Sequence, residues 1–122
     1  MIDYHKTMGL GRKILDKHGL ADWTFDVVNL SNPFMFGALC ELDLGLDCGE
    51  FVLGYCDHNK RTIYVDRSAP MRRVRQIILH EIAHTLTPGE GHNRRWWNKA
   101  SDIGVTFAEL LPYIHGLKQG EK

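Results

Sequence analysis

Apolar and polar positions follow their most regular pattern between residues 70 and 87. Apolar residues recur there at spacings of three and four, which is typical of an amphipathic α-helix with one face on the core. Pro70 suits the first turn of such a helix, and Pro88 suits its exit. The pattern therefore predicts a helix from Pro70 to about Thr87. Its predicted apolar face consists of Met71, Ile78, Leu79, Ile82, Ala83 and Leu86.

A second helical face begins at His92. Trp96 lies four residues later, and Ala100 and Ile103 continue the same face, so a second helix is predicted here. The residues at 88–91, Pro-Gly-Glu-Gly, form a turn that brings the chain back towards the first helix. Trp96 is then placed to pack beneath His92 and to fix its direction.

A third, short helix is predicted further on. Residues 106–109, Thr-Phe-Ala-Glu, fit a capping box, and Val105 and Leu110 are placed as the matching hydrophobic staple. Pro112 shortens or kinks this helix. Residues from about 117 to 122 are expected to form a flexible tail.

The first half of the chain predicts one helix and several strands. Residues 3–18 have a helical pattern, and residues 23–28 alternate large apolar with polar side chains, as a half-buried strand does. Residues 51–56 and 61–65 have the composition of strands, and the turn-forming residues between them predict a hairpin. The segment 34–42 could add a further strand.

Together these elements predict an α+β fold with an N-terminal helix and a short, three- to four-stranded, mainly antiparallel sheet, followed by the 70–87 helix and two further helices. The length of 122 residues fits one domain, and the 43% hydrophobic and 25% charged content is that of an ordinary globular protein. Fifteen basic residues balance fifteen acidic ones, so net charge gives no case for a dedicated nucleic-acid or membrane binder. With no apolar run near the ~20 residues of a membrane span and no signal-peptide core, a cytoplasmic location is expected.

The cysteines give no metal or disulfide framework. Cys40, Cys48 and Cys56 are odd in number and include no C-x-x-C pair. The odd number argues against a set of disulfides, and the missing pair argues against a zinc ribbon. We expect small buried hydrophobic side chains at these positions.

The 70–87 helix carries a motif with metal chemistry, His80-Glu81-Ile82-Ala83-His84. Residues four apart differ by about 40° around a helix axis, so His80 and His84 point the same way, opposite the apolar face. Two imidazoles in this relation can bind one zinc ion, and Glu81 is placed to take a proton from a water molecule at the metal. His92 is the candidate third ligand, because the turn before it reverses the chain.

The run from Leu79 to His84, followed by Gly91-His92 and Trp96, resembles the active-site signature of SprT-like zinc metallopeptidases. These proteins have a helix-borne H-E-x-x-H, a third histidine in a Gly-His element, and an aromatic residue four positions later. A looser match upstream includes Trp23 and the Gly-Tyr-Cys element at 54–56, so the resemblance covers about residues 13 to 103.

The resemblance implies one zincin-like domain over residues 1–122 that hydrolyses peptide bonds at a zinc site. It implies His80, His84 and His92 as zinc ligands, Glu81 as general base and Trp96 as a supporting residue. The substrate would be a protein or peptide. Some SprT-like proteases act on DNA-associated proteins, including covalent DNA–protein crosslinks, so a DNA-associated substrate is one option. A basic rim for such a substrate could be formed by Arg72, Arg73, Arg75, Arg94, Arg95 and Lys99.

Two other functions stay open. One is a cytoplasmic, repressor-cleaving H-E-x-x-H peptidase with a carboxylate as third ligand, for which Glu109 is the best downstream candidate, although a capping box would engage it. The other is a non-enzymatic, zinc-stabilised binding module. For an enzyme, the group that stabilises the oxyanion is not fixed by the sequence, and Tyr55, Tyr64, Tyr113 and His58 are all candidates.

Overall fold

The computed structural model describes residues 3–30 and 53–111. There the chain forms α1 (Tyr4–Lys17), β1 (Thr24–Val28), β2 (Gly54–Asp57), β3 (Thr62–Asp66), α2 (Met71–Leu86), α3 (Arg94–Asp102) and α4 (Phe107–Leu110). Helices are combined with a small three-stranded sheet, as the α+β prediction requires. The predicted strand at 34–42, Cys40, Cys48 and the predicted tail lie outside the described residues. Nowhere in 3–30 or 53–111 is a helix long and apolar enough to cross a membrane.

The described strands are ordered β1-β3-β2. β2 pairs antiparallel with β3, with Tyr55 opposite Tyr64, which confirms the predicted hairpin. β1 pairs parallel with β3, with Phe25 opposite Ile63. The described sheet is therefore mixed, with one parallel and one antiparallel pairing, whereas a mainly antiparallel sheet was predicted. Along the chain β2 comes between β1 and β3, and β2 runs antiparallel to β3, while β1 and β3 run in the same direction. The pattern within each strand does not specify which strands become neighbours.

The N-terminal helix α1 packs closely against β1. It begins at Asp3, whose side chain accepts a hydrogen bond from the Lys6 N–H at 3.0 Å. Gly11 lies at the contact, where a Cβ would overlap the ring of Phe25. A glycine inside a helix costs about 1 kcal/mol relative to alanine. Here it lets the helix approach the sheet.

The central helix α2 has the predicted bounds to within a residue at each end and packs against β2, β3 and α1. Met71 and Leu86 were predicted on its buried face, but they are 39% and 38% exposed because they lie in the terminal turns. Val74 and Ile77, which the predicted face omitted, are buried. The buried apolar residues of α2 are Val74, Ile77, Ile78, Leu79, Ile82 and Ala83.

The helix α3 runs back along α2. Trp96, in its first turn, is fully buried and lies against His80 and His84. Just after the end of α3, the carbonyl of Gly104 accepts a hydrogen bond from Gln76 Nε2 at 3.2 Å. The segment before α3 is therefore held beside the C-terminal half of α2, where the H-E-x-x-H motif lies.

The short helix α4 differs from its prediction in how it begins. Val105 and Leu110 are buried, as the proposed staple expects. Thr106, however, makes no side-chain hydrogen bond as the N-cap, so the predicted capping box is wrong. The carboxylate of Glu109 instead accepts two hydrogen bonds from Arg73 of α2, at 3.1 and 2.8 Å. A bidentate, charge-assisted contact with Arg73 of α2 therefore takes the place of the predicted bond between Glu109 and the backbone N–H of Thr106.

Candidate metal centre

Two of the predicted ligands lie on one side of α2. His80 and His84 have ring centroids 5.1 Å apart. The side chain of His80 is only 15% exposed, because α3 covers this side of the helix. The four-residue spacing therefore places both imidazoles at the contact between the two helices.

His92, the third predicted ligand, lies in the turn before α3 and contacts both of these histidines. Its Nε2 lies 3.1 Å from His80 Nε2 and 3.1 Å from His84 Nε2. The turn is possible because Gly89 adopts a left-handed conformation, with φ of 77°, and the Glu90 N–H donates to the Thr87 carbonyl at 3.1 Å. His80, His84 and His92 form a group whose ligand atoms all lie within 4.8 Å of one another.

The spacing of these nitrogens fits a bound metal ion. A tetrahedral ion with metal–nitrogen bonds of 2.0–2.1 Å separates its ligand nitrogens by about 3.3–3.4 Å. The observed separations of 3.1 Å are close to this value. His92 Nε2 also faces two imidazole nitrogens at once, whereas a neutral imidazole nitrogen has either one proton or one lone pair to offer. A shared ion satisfies all three nitrogens, so the three histidines could hold a metal ion.

The protein keeps these imidazoles in the form that binds metals. Burial lowers the pKa of His80 well below 6.5, and the neighbouring His84 and His92 lower it further. Burial also lowers the pKa of His84 to about 3, with smaller contributions from His92 and His58, and the pKa of His92 to about 4. Near neutral pH all three rings are therefore uncharged, with lone pairs available for coordination.

Trp96 forms the base of the site. Its ring centroid lies 4.7 Å from that of His80, 5.4 Å from that of His84 and 4.5 Å from that of His92. It has no exposed surface. The predicted packing of Trp96 against His92 is confirmed, and the same indole also contacts the two histidines of α2.

Glu81 lies beside the three histidines and is enclosed by β2. It is 6% exposed, and its Oε2 is 3.8 Å from His80 Nε2, one of the atoms that face the other ligands. A Cβ at Gly54 of β2 would lie 3.0 Å from Glu81 Oε2 and 2.7 Å from Ile77 Cγ2. Gly54 therefore lets the strand pass directly over the carboxylate. A glycine inside a strand often marks such a close approach, but the sequence does not say what approaches.

The other candidates are placed differently. Glu109, the possible carboxylate ligand, is bound to Arg73 and is absent from the histidine group. Tyr55 and Tyr64 stack on each other, with centroids 6.2 Å apart, in a separate cluster with Leu30. Because alternate residues of a strand face opposite sides and Gly54 faces α2, Tyr55 faces away from the metal centre. Tyr113 lies outside the described residues.

His58 and Cys56 follow Gly54 on the side of β2 that faces α2. His58 is close enough to His84 to affect its pKa electrostatically, and its ring meets that of Trp23 edge-on at 6.0 Å. Cys56 is buried, with its Sγ 3.8 Å from His58 Nε2. In the part of the chain that the structure describes, the three histidines are the only group of this kind that could bind a metal.

The predicted basic rim is partly neutralised. Arg73 is paired with Glu109, and Arg95 is paired with Glu90, whose carboxylate lies at 3.2 Å. Arg72, Arg75 and Lys99 are exposed. The arginines near the start of α2 and those near the start of α3 also lie at opposite ends of this antiparallel helix pair.

Comparisons with family models, with curated proteins and with solved structures found no match to this chain.

Proposed function

We propose that this chain is a SprT-like zinc metallopeptidase with a zincin-like fold. The observation that carries the proposal is the group of three partly buried imidazoles, in which His92 Nε2 lies 3.1 Å from the Nε2 atoms of both His80 and His84, with the buried carboxylate of Glu81 beside them. Three histidines and an adjacent glutamate are the composition of a catalytic rather than a structural zinc site, because one coordination position stays open. The motif resemblance to SprT-like proteins supports the same assignment.

In this proposal the histidines bind the ion and Glu81 moves protons. When bound, zinc would lower the pKa of a water molecule and polarise the carbonyl of the scissile peptide bond. Glu81 would accept the proton from that water and donate it to the amine that leaves. Its position 3.8 Å from a ligand nitrogen supports this role, because a water at the open position would be within reach of the carboxylate.

The substrate would be a protein or peptide whose backbone lies alongside β2. Support comes from Gly54, which brings the β2 backbone directly over Glu81, so a chain next to this strand would lie over the metal centre. A DNA-associated protein substrate has less support, because Arg73 and Arg95 of the predicted basic rim are engaged by glutamates. A carboxylate third ligand is likewise disfavoured by the contact between Glu109 and Arg73.

The experiment compares zinc content and cleavage of an unfolded protein substrate in the wild type, Glu81→Gln and His92→Ala. We expect about one zinc per wild-type chain and measurable cleavage. Glu81→Gln should keep the zinc but lose most of the cleavage, because an amide cannot act as a base. His92→Ala should lose both.

Zinc binding without cleavage in the wild type, or full cleavage by Glu81→Gln, would overturn the peptidase proposal and favour a zinc-stabilised binding module. Zinc retained by His92→Ala would show that another residue supplies the third ligand.

A further inference from the structure

The third ligand differs from the other two because no regular element holds it. His92 precedes α3, and the structure must fix it through the turn between Thr87 and Asn93. One end of this turn is tied to α2, since Thr87 Oγ1 donates to the Ala83 carbonyl at 2.9 Å. The direction of His92 then depends on how the other end is tied to α3.

Asn93 ties that end with both atoms of its amide. Its Oδ1 accepts a hydrogen bond from the Trp96 N–H at 3.1 Å, as an N-cap does. Its Nδ2 donates to Glu90 Oε2, which lies in the turn on the other side of His92. One side chain therefore connects the start of α3 to the turn, with the ligand between them.

Glu90 is held from two sides. Besides the bond from Asn93, its Oε1 accepts from Arg95 Nη1 at 3.2 Å. The side chain of Arg95 is 80% exposed, so this ion pair lies in water and contributes little. The contact between Glu90 and Asn93 is the one that closes the turn around His92.

We propose that Asn93 is a positioning residue for the metal centre, which acts by fixing His92 and Trp96 in one arrangement through its contacts with Glu90 and the start of α3. His92 is its immediate neighbour, and Trp96 supports all three imidazoles. This inference rests on the metal site of the proposed function and not on peptide hydrolysis. Groups that hydrogen-bond directly to metal ligands typically change metal affinity by about 10- to 100-fold when they are removed, and we expect an effect of this order from Asn93, which acts through the turn.

The test measures zinc affinity of the full chain by competition with a chromophoric chelator, and the visible absorption spectrum of the cobalt(II)-substituted protein. Asn93→Ala removes both amide contacts and should weaken zinc binding by about 10- to 100-fold, with a weaker and shifted cobalt spectrum. Asn93→Ser keeps a side chain that caps helices well but cannot reach Glu90, so α3 still forms and the affinity falls by less.

Two variants serve as controls. Asn98→Ala changes an exposed asparagine of the same helix and should bind zinc as the wild type does. Arg95→Gln removes only the exposed ion pair with Glu90 and leaves the contact between Glu90 and Asn93, so its affinity should stay close to that of the wild type.

Wild-type affinity and an unchanged cobalt spectrum in Asn93→Ala would overturn the inference while leaving the metal site intact. A wild-type chain that takes up neither ion would overturn the metal site and this inference together.

Discussion

Gly54 shows how a single residue can shape the site without any chemistry of its own. A methyl group there would lie 2.7 Å from Ile77 Cγ2 and 3.0 Å from Glu81 Oε2, and both neighbours are buried. Something must move to accept it: the strand, the side chain of Ile77 or the carboxylate of Glu81. The absence of a side chain at Gly54 therefore allows β2 to lie this close to α2.

Gly54→Ala should lower the free energy of unfolding by about 1–3 kcal/mol, the usual cost of overpacking. If the chain is the peptidase we propose, Gly54→Ala should also lower kcat, because Glu81 shifts, while the zinc content stays the same. Chemical denaturation, elemental analysis and steady-state kinetics would measure the three effects. The matched control is Gly9→Ala in α1, where a Cβ meets nothing within 4 Å. Equal kinetics for Gly54→Ala and the wild type would contradict the assigned contact.

In the proposed peptidase, His58 is the remaining described candidate for stabilising the oxyanion. Its side chain is exposed on the turn after β2 and acts electrostatically on His84. We expect His58→Ala to lower kcat by about 10-fold or more with no loss of zinc, as removal of one transition-state donor does. An unchanged kcat would exclude this role, and a loss of zinc would instead make His58 part of the metal centre.

At the residue level, the grouping of the three histidines could be predicted, whereas the residues that support the group could not. His80, Glu81 and His84 follow from a local spacing, and His92 and Trp96 follow from a turn and a second helical face. Gly54 depends on a partner 27 positions away in sequence at Glu81, as the contact between them shows. The pattern of apolar residues within one helix or strand cannot predict a contact between two such elements.

Among the elements, the start of α4 was predicted wrongly for a physical reason. A Thr-x-x-Glu sequence favours a capping box, but a bidentate bond to an arginine is stronger than a bond to one exposed N–H. Arg73 lies close enough to take the carboxylate of Glu109. The hairpin of β2 and β3 was predictable because it is local, whereas the parallel pairing of β1 was not.

Glu109→Gln tests which role this residue has. We expect a loss of about 1 kcal/mol or less in the free energy of unfolding, because the pair with Arg73 is partly exposed. The zinc content should not change. Denaturant unfolding and elemental analysis would show this, with His92→Ala as the zinc-free reference. Loss of zinc in Glu109→Gln would support a carboxylate as third ligand.

For the whole molecule, burial of three neutral histidines makes the stability of the metal-free protein depend on pH. In the unfolded protein the histidines take up protons below about pH 6.5. In the folded protein burial lowers the pKa of His84 to about 3 and the pKa of His92 to about 4, so these rings stay uncharged at lower pH. Stability is therefore fully present above pH 6.5 and decreases as the pH falls.

In the metal-free protein, we expect the free energy of unfolding to fall by up to about 1.4 kcal/mol per pH unit for each such histidine below pH 6.5. Denaturant unfolding at pH 7.5, 6.5 and 5.5 would measure the slope. His84→Gln removes one of these protonation sites and should give a shallower slope. A slope equal to that of the wild type would contradict the enclosed, neutral state of His84.

The parallel pairing of β1 with β3 also affects how the chain folds. The pairing of β1 with β3 brings Thr24 opposite Thr62, whereas the hairpin brings Asp57 opposite the same residue. The stretch of chain between the paired residues is therefore far longer for β1 than for the hairpin. Loop-closure entropy increases with length, and long-range pairings form late in folding. The hairpin and the helix α2 can then assemble before β1 docks. A Phe25→Ala change would therefore mainly accelerate unfolding and would hardly slow folding, as expected for a strand that joins after the rate-limiting step.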